Sequence, residues 1–296
     1  MKRNSGDFLN EMKKALALTV LAGILWGSSF PMIKVGLKFI DAYVFVFLRF
    51  FLASVIMFII LLFTKNLILE FSKARILFIG VLNGSSYLLQ YIGMTFTTAS
   101  KSSLLVNLTA VWVAALSWFI LKEKFGNKKL CGIMLGIIGV FLIVTNLNFS
   151  ELTEGTLFGD ILVLFSGIGW SFFIIYNKKL IADNENTFQL TSWVLFATVL
   201  PLAPFILFSG NVSLNLPIEA WGVIGYTAIF CWIVPYYLWL KGLRHISSVR
   251  STVILLTEIV VAVVISHFIL GEGFTLISSV GALLILGAII SVSLEQ

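Results

Sequence analysis

Ten apolar stretches, each about twenty residues long, constrain the fold of this chain more than any other feature. They cover roughly residues 15–34, 43–64, 75–95, 102–121, 129–147, 160–181, 188–208, 220–240, 251–270 and 275–294. About twenty residues of helix cross the hydrocarbon core of a bilayer. Within that core the backbone must pair its own N–H and C=O groups, which helices and closed barrels achieve. The sequence therefore predicts an all-α polytopic membrane protein with ten transmembrane helices in the lipid bilayer.

The composition and the placement of charge agree with this prediction. Of the 296 residues, 59% are hydrophobic and 11% are charged, against about 25% charged in a typical soluble domain. The net charge of +6 is concentrated, because 16 of the 20 lysines and arginines fall on one side of the predicted spans. Cytoplasmic loops carry such an excess. We therefore expect no nucleic-acid partner, a place in the cell (plasma) membrane, and both termini in the cytoplasm.

The chain contains an internal repeat. Residues 115–125 match residues 264–274 at six of eleven positions, at an offset of 149 residues. The same offset makes four more pairs: Gly93 with Gly242, Lys101 with Arg250, Ser102 with Ser251, and Gly132 with Gly281. Nearer the front of each half, Trp26 pairs with Trp170 at an offset of 144. We interpret the chain as two copies of one unit, residues 1–150 with spans one to five and residues 151–296 with spans six to ten.

Each copy holds five spans, so the second copy enters the membrane from the opposite side. The halves are then two inverted five-helix repeats, related by a pseudo-two-fold axis in the membrane plane. Secondary transporters use this architecture and hold substrate near the midplane between the halves. The repeat therefore favours a transporter over a receptor or a scaffold.

Two segments resemble the signature regions of the EamA family of the drug/metabolite transporter (DMT) superfamily. They are "LNGSSYLLQYIGMTFTTASKSSLLVNLTAVW" at 82–112 and "VPYYLWLKGLRHISSVRSTVILLTEIVVAVV" at 234–264. The stretches "LWGSSFPMIKVGL" at 25–37 and "FILKEKFG" at 119–126 are similar to that family as well. The resemblance implies ten helices in two inverted repeats, a central substrate cavity, and export or exchange of small metabolites, often amino acids.

One feature departs from the family pattern. The family usually has a proline about thirteen residues before the repeated glutamate, but counting back from Glu123 and Glu272 gives Ala110 and Ile259. We therefore expect the gating helices of this chain to be straighter than those of its relatives. The two glutamates end their spans on opposite faces and are interpreted as residues that fix helix ends and loops.

Two charged residues fall inside predicted spans. Glu258 lies seven residues after Ser251, about 10 Å along the helix, where a carboxylate facing lipid costs about 2.5–3.5 kcal/mol or more. It is predicted to bind a substrate amine, to couple transport to protons, or to make a structural ion pair or hydrogen bond. Arg49 lies about two turns into the second span and has either a structural role or binds a substrate carboxylate through its planar fork.

A set of deep aromatic and amide residues is the candidate substrate site. Its members are Trp26, Asn83, Tyr87, Gln90, Tyr91, Asn107, Trp170, Tyr176, Tyr236 and Trp239. Residues 83, 87, 90 and 91 recur at helical spacing and predict one polar stripe on span three. Amides in hydrocarbon need partners, so the stripe either faces a watery cavity or makes hydrogen bonds between helices.

The leading hypothesis is a secondary transporter that exports or exchanges a small metabolite, such as an amino acid, by alternating access through a central cavity. No Walker sequence is present, so the energy comes from a substrate gradient, from exchange, or from coupled protons. The alternative within transport is efflux of drugs or other cationic compounds, which aromatic walls with Glu258 would suit.

An intramembrane enzyme is disfavoured. His245 and His267 have no nucleophile or metal ligand at helical spacing, and Cys131 and Cys231 form no metal motif. We therefore expect no catalytic residues, no metal and no cofactor. Small residues such as Gly132 and Gly281 also suggest that spans five and ten pack alike, which makes a homodimer seam a further hypothesis.

Overall fold

The computed structural model describes most of the chain. The described residues are 5–65, 72–97, 104–124, 126–149, 152, 155–183, 186–208, 215–270 and 275–294. Lys101 and Glu272, two members of the sequence repeat, lie outside them.

The described residues include ten helices long and apolar enough to cross a membrane. We number them as follows: α1 Ser5–Gly36, α2 Ala42–Phe63, α3 Lys73–Met94, α4 Leu104–Leu121, α5 Asn127–Thr145, α6 Leu157–Asp183, α7 Thr187–Leu202, α8 Ile218–Leu243, α9 Ser248–Ile269 and α10 Leu276–Ser293. Each predicted span falls on one of them, which confirms the fold class.

Helix ends differ from the predicted spans most at α1, which begins ten residues before the apolar run. A helix pairs its own backbone groups and can continue into water beyond the hydrocarbon core, so hydropathy underestimates its length.

Two contacts show which helix ends lie on the same side of the bundle. Lys128 at the start of α5 donates to the Leu294 carbonyl after α10, at 3.2 Å, and Glu11 lies 3.1 Å from His245. We call this side, where α1 begins and α10 ends, the terminal face.

Helix contacts occur in matched pairs, as an inverted repeat requires. A Cβ atom at Gly93 in α3 would lie 2.9 Å from the carbonyl oxygen of Gly159 in α6. A Cβ atom at Gly242 in α8 would lie 2.8 Å from the carbonyl oxygen of Ala15 in α1. Gly242 is the repeat equivalent of Gly93 at the offset of 149, and Ala15 is the repeat equivalent of Gly159 at the offset of 144. The two contacts are therefore equivalent. The two repeats therefore use the same small residues for close backbone approach.

Helices α5 and α10 pack against each other across the pseudo-two-fold axis. A Cβ atom at Gly139 would lie 2.7 Å from the carbonyl oxygen of Gly281, and a Cβ atom at Gly281 would lie 2.7 Å from that of Gly139. Gly132 faces Val292 and Ala288 of α10 in the same way. These small residues are thus in contact within one chain. They give no support to a dimer seam, and the homodimer stays a prediction.

Helices α4 and α9 are both interrupted, at Leu108 and at Leu256. In each helix the amide three residues after the interruption bonds back to it: Val111 N–H to the Leu108 carbonyl at 2.9 Å, and Ile259 N–H to the Leu256 carbonyl at 3.1 Å. Both helices are therefore interrupted although the proline is absent, and the expectation that they are straighter than those of the relatives stays a prediction.

A threonine directly follows each interruption. Thr109 donates its hydroxyl to the Val106 carbonyl and Thr257 donates to the Ile254 carbonyl, both at 2.6 Å. A threonine hydroxyl that bonds back to a carbonyl of the preceding turn competes with the backbone and bends a helix. A break in these helices therefore does not require the proline that the family usually has.

Candidate functional site

Aromatic side chains from both repeats meet in the middle of the bundle. We call them the central aromatic cluster; its members are Trp26, Phe50, Tyr87, Trp170, Phe173, Trp232, Tyr236 and Trp239. Their ring centroids lie 4.8–6.4 Å apart from neighbour to neighbour. Contacts at this range are ordinary for offset and edge-to-face aromatic pairs. The structure thus brings together five of the ten predicted substrate-site residues: Trp26, Tyr87, Trp170, Tyr236 and Trp239.

Sequence reasoning missed three members of the cluster, Phe50, Phe173 and Trp232. Trp232 links the two repeats. It is 3% exposed and contacts Trp26, Phe50 and Tyr87 in repeat one. It lies in a π-helical turn, Ile229–Ile233, where the Val234 N–H bonds to the Ile229 carbonyl. The proline that follows at 235 lacks an N–H and disturbs the preceding turn. The sequence signal for Trp232 was its spacing to Tyr236 and Trp239, because positions i, i+4 and i+7 share a helix face.

Three predicted residues use their polar groups to join helices. Asn83 accepts from Trp170 Nε1 at 3.3 Å and donates to Thr198 at 3.2 Å, which ties α3 to α6 and α7. Tyr236 donates to Asn177 at 2.8 Å, and Trp239 donates to Ser251 at 2.8 Å. For Asn83 the structure favours the interhelical alternative over a watery cavity wall.

The residues of the predicted polar stripe on α3 therefore have different surroundings. Tyr87 and Tyr91 line a cavity of about 10 Å³ together with residues of α2 and the segment after α7, which is room for about one water molecule. Gln90 is half-buried and makes no hydrogen bond to another described residue. Asn107, one residue before the interruption in α4, already interacts with another residue.

Tyr176 lies apart from the cluster, on a larger opening. It lines a cavity of about 820 Å³ between the start of α3, the end of α4 and the end of α6. We call it the α3–α4 crevice. It opens at the terminal face, and Tyr176 contacts Phe78 there at a centroid distance of 5.0 Å. The crevice is distinct from the central aromatic cluster, so Tyr176 is one of the five predicted site residues that the structure does not bring into the cluster.

Arg49 is a buried cation at the edge of the cluster. It is 3% exposed, its Nε has no hydrogen-bond partner, and its guanidinium lies 5.2 Å from the ring centroid of Phe50. No carboxylate of the described residues forms an ion pair with it. A buried charge without a counter-ion is costly, and a partial cation–π contact offsets little of that cost.

Glu258 borders the cluster from the other side. It follows the interruption of α9 by two residues, and a Cβ atom at Gly27 would lie 2.5 Å from its carbonyl oxygen. Gly27 adjoins Trp26, so this crossing brings Glu258 beside the cluster. Its half-buried carboxylate makes no hydrogen bond or ion pair with another described residue.

The cluster also presents unsatisfied donors. The indole N–H groups of Trp26 and Trp232 are buried and have no hydrogen-bond partner among the described residues. Buried polar groups nearly always find a partner in protein or water. Two free donors, a cation and an anion around one aromatic cluster make a place that can receive a small polar molecule.

Glu123 has the loop-fixing role that its position predicted. Its carboxylate accepts the backbone N–H of Ser248 at 3.0 Å, at the start of α9. A negative charge at a helix N-terminus is stabilising. Nearby, Lys178 donates to the carbonyls of Leu243 and Ile246 at 2.6 and 2.8 Å. Both side chains fix helix ends at the terminal face.

Ten membrane-crossing helices in two inverted repeats, with a mixed polar and aromatic centre, define a polytopic transporter rather than an enzyme. The comparison with protein families makes the assignment specific. The profile of the EamA-like transporter family matches residues 13–145 and 157–294, so the chain belongs to that family. The resemblance drawn from the signature segments is confirmed.

Individual relatives agree with this family assignment. An uncharacterized transporter of Archaeoglobus fulgidus is 28% identical over 286 residues, which cover 95% of this chain and 96% of that protein. A Salmonella typhimurium protein named "Probable amino-acid metabolite efflux pump" is 26% identical and covers 92% of each chain. A crystal structure with 15% identity superposes with a TM-score of 0.80 over 94% of this chain and 96% of that one, which shows a shared fold.

Proposed function

We propose that this transporter exports or exchanges small amino acids across the plasma membrane, with both termini in the cytoplasm. The observation that carries the proposal is a pair of charges within the spans that form no ion pair with a described residue: Arg49, buried over Phe50 of the cluster, and Glu258, where α9 crosses α1 beside Trp26. An α-amino acid is a zwitterion with one charge of each sign. Its carboxylate suits the fork of Arg49 and its ammonium suits the carboxylate of Glu258.

The two repeats supply opposite ends of this site. Arg49 belongs to α2 in repeat one, and Glu258 belongs to α9 in repeat two. A substrate that binds both therefore links the halves, and its binding energy depends on how the halves are arranged. Alternating access by rocking one repeat against the other needs such a link.

The free indole N–H groups support the same assignment. Trp232 contacts Phe50, which in turn lies under the Arg49 guanidinium at 5.2 Å. An N–H donor next to a guanidinium favours a carboxylate. The relative named as an amino-acid metabolite efflux pump agrees with this substrate class.

Counterflow in proteoliposomes tests the proposal. Labelled amino acids should exchange faster than in empty liposomes. Glu258→Gln and Arg49→Gln should each lower exchange by at least about tenfold, because each loses an ion pair worth more than about 1.4 kcal/mol. Glu219→Gln, a carboxylate in the first turn of α8, is the matched control and should exchange normally.

A pH gradient separates the roles of Glu258. If it binds the substrate amine alone, Glu258→Gln loses exchange with and without the gradient. If it also couples protons, the wild type responds to the gradient and any residual activity of Glu258→Gln does not.

Cationic compounds are the rival substrates. Transport of organic cations but of no amino acid by folded protein would overturn the proposal. Normal exchange of amino acids by Arg49→Gln would exclude Arg49 as the carboxylate ligand.

A further inference from the structure

The α3–α4 crevice is built differently from the central site. Helix α3 packs on α6 and α7, whereas α4 packs on α6 and α9. A gap therefore remains between α3 and α4 at the terminal face. Its volume, about 820 Å³, lies within the range of about 300–1,000 Å³ that ligand pockets occupy.

The polarity of the crevice changes with depth. At its mouth lie Arg75 in the first turn of α3 and Lys178 and Lys179 near the end of α6. One turn deeper the wall is apolar and aromatic, formed by Phe78, Ile79, Leu121 and Tyr176. Charge at the membrane boundary and apolar surface below it match the shape of an amphiphile.

The charge at the mouth is positive. Glu123 is the one carboxylate that lines the crevice among the described residues, and it is engaged by the Ser248 N–H and interacts with Lys178. Lys178 is engaged by the carbonyls that end α8. Arg75 and Lys179 are exposed, and the Lys179 ammonium lies 5.8 Å from the ring centroid of Tyr176. Arg75 already interacts with another residue, but its guanidinium has five N–H donors, so both exposed cations are available to bind an anion at the mouth.

We propose that the α3–α4 crevice binds one anionic phospholipid, with its phosphate at Arg75 and Lys179 and an acyl chain along Phe78 and Tyr176. Basic pockets between transmembrane helices are suited to such headgroups. Phe78 is 48% exposed, so a chain can enter from the bilayer. A soluble anion would leave the deep apolar wall uncovered. The proposal is independent of the substrate proposed above.

Native mass spectrometry of the detergent-purified full chain tests it, with phosphatidylglycerol and phosphatidylcholine of identical acyl chains. We expect one retained phosphatidylglycerol and much weaker retention of phosphatidylcholine. The double variant Arg75→Gln, Lys179→Gln should weaken phosphatidylglycerol binding about tenfold or more. Lys13→Gln, Lys14→Gln, two exposed positions at the start of α1, removes the same charge outside the crevice and should bind normally.

Phe78→Ala separates lipid from free phosphate. It should weaken phosphatidylglycerol binding and leave any binding of glycerol phosphate unchanged. Glycerol phosphate that binds as tightly as phosphatidylglycerol would overturn the lipid assignment, and so would equal retention of the two lipids. Normal lipid binding by the Arg75, Lys179 double variant would place the lipid elsewhere. Size-exclusion profiles confirm that each variant is folded.

Discussion

Helices α4 and α9 are bent at matching places, yet only α9 carries a charge there. Thr109 and Thr257 make the same 2.6 Å bond to the preceding turn. By the repeat offset of 149 residues, the counterpart of Glu258 in α4 is Thr109, which is uncharged. The bend therefore belongs to the repeated scaffold, whereas the carboxylate belongs to one half. We infer that the symmetric parts serve the motion and the asymmetric parts serve the ligand.

The helices that cross α9 and α4 near the interruptions, α1 and α6, also differ between the two halves. Gly27 of α1 touches the Glu258 backbone, and its partner in the repeat is Ser171 of α6. The Ser171 hydroxyl lies 3.5 Å from the Thr109 carbonyl. The crossing at α4 thus accommodates a side chain, and the crossing at α9 does not. Glu258 is held against α1 more closely than its counterpart Thr109 is held against α6.

The largest expected effect on stability is at this crossing. Gly27→Ala places a Cβ atom 2.5 Å from the Glu258 carbonyl oxygen and 2.8 Å from the Val261 Cβ. Because backbone must move, we expect a loss of about 1–3 kcal/mol in the free energy of unfolding. Thermal unfolding in detergent measures it. Gly287→Ala, where a new Cβ meets nothing within 4 Å, should unfold like the wild type. Equal behaviour of the two variants would mean that α1 and α9 do not touch this closely.

Removal of the hinge hydroxyls should have a moderate effect, equal in the two halves. Thr109→Val and Thr257→Val keep the shape of the side chain but lose a hydrogen bond worth about 0.5–1.5 kcal/mol. We expect exchange rates to fall by roughly two- to tenfold in both. Thr252→Val, which loses an ordinary bond to the Ser248 carbonyl in α9, is the control for a threonine away from the bend. A loss confined to one of the two hinge variants would show that only that helix moves.

The smallest effect is expected at the glycines that face the hinges. A Cβ atom at Gly23 would lie 3.3 Å from the Thr257 Cβ, and one at Gly167 would lie 3.1 Å from the Thr109 hydroxyl. Alanine improves helix propensity by about 1 kcal/mol, which offsets this mild crowding. Gly23→Ala and Gly167→Ala should therefore each change the free energy of unfolding by less than about 1 kcal/mol, by similar amounts. Unfolding curves that diverge between them would limit the symmetry of the two crossings.

Much of the architecture could be predicted from the order of residues. Ten apolar runs, the offsets of 149 and 144 residues and the signature segments led to the ten helices, the repeat and the family. These features depend on the length and composition of single helices, which a bilayer restricts to few solutions. Arg49 and Glu258 were also visible, because a charge inside a span is rare.

The partners of each side chain were decided by tertiary structure alone. Asn83 was expected either beside a watery cavity or in hydrogen bonds between helices, and the structure shows that it joins α3 to α6 and α7. Tyr176 was grouped with the site and lies in the α3–α4 crevice, while Trp232 entered the cluster through a π-helical turn. Hydropathy shows that a helix crosses a membrane but not which way it is rotated. Rotation and bends depend on how small residues, rings and hydrogen bonds fit between neighbouring helices.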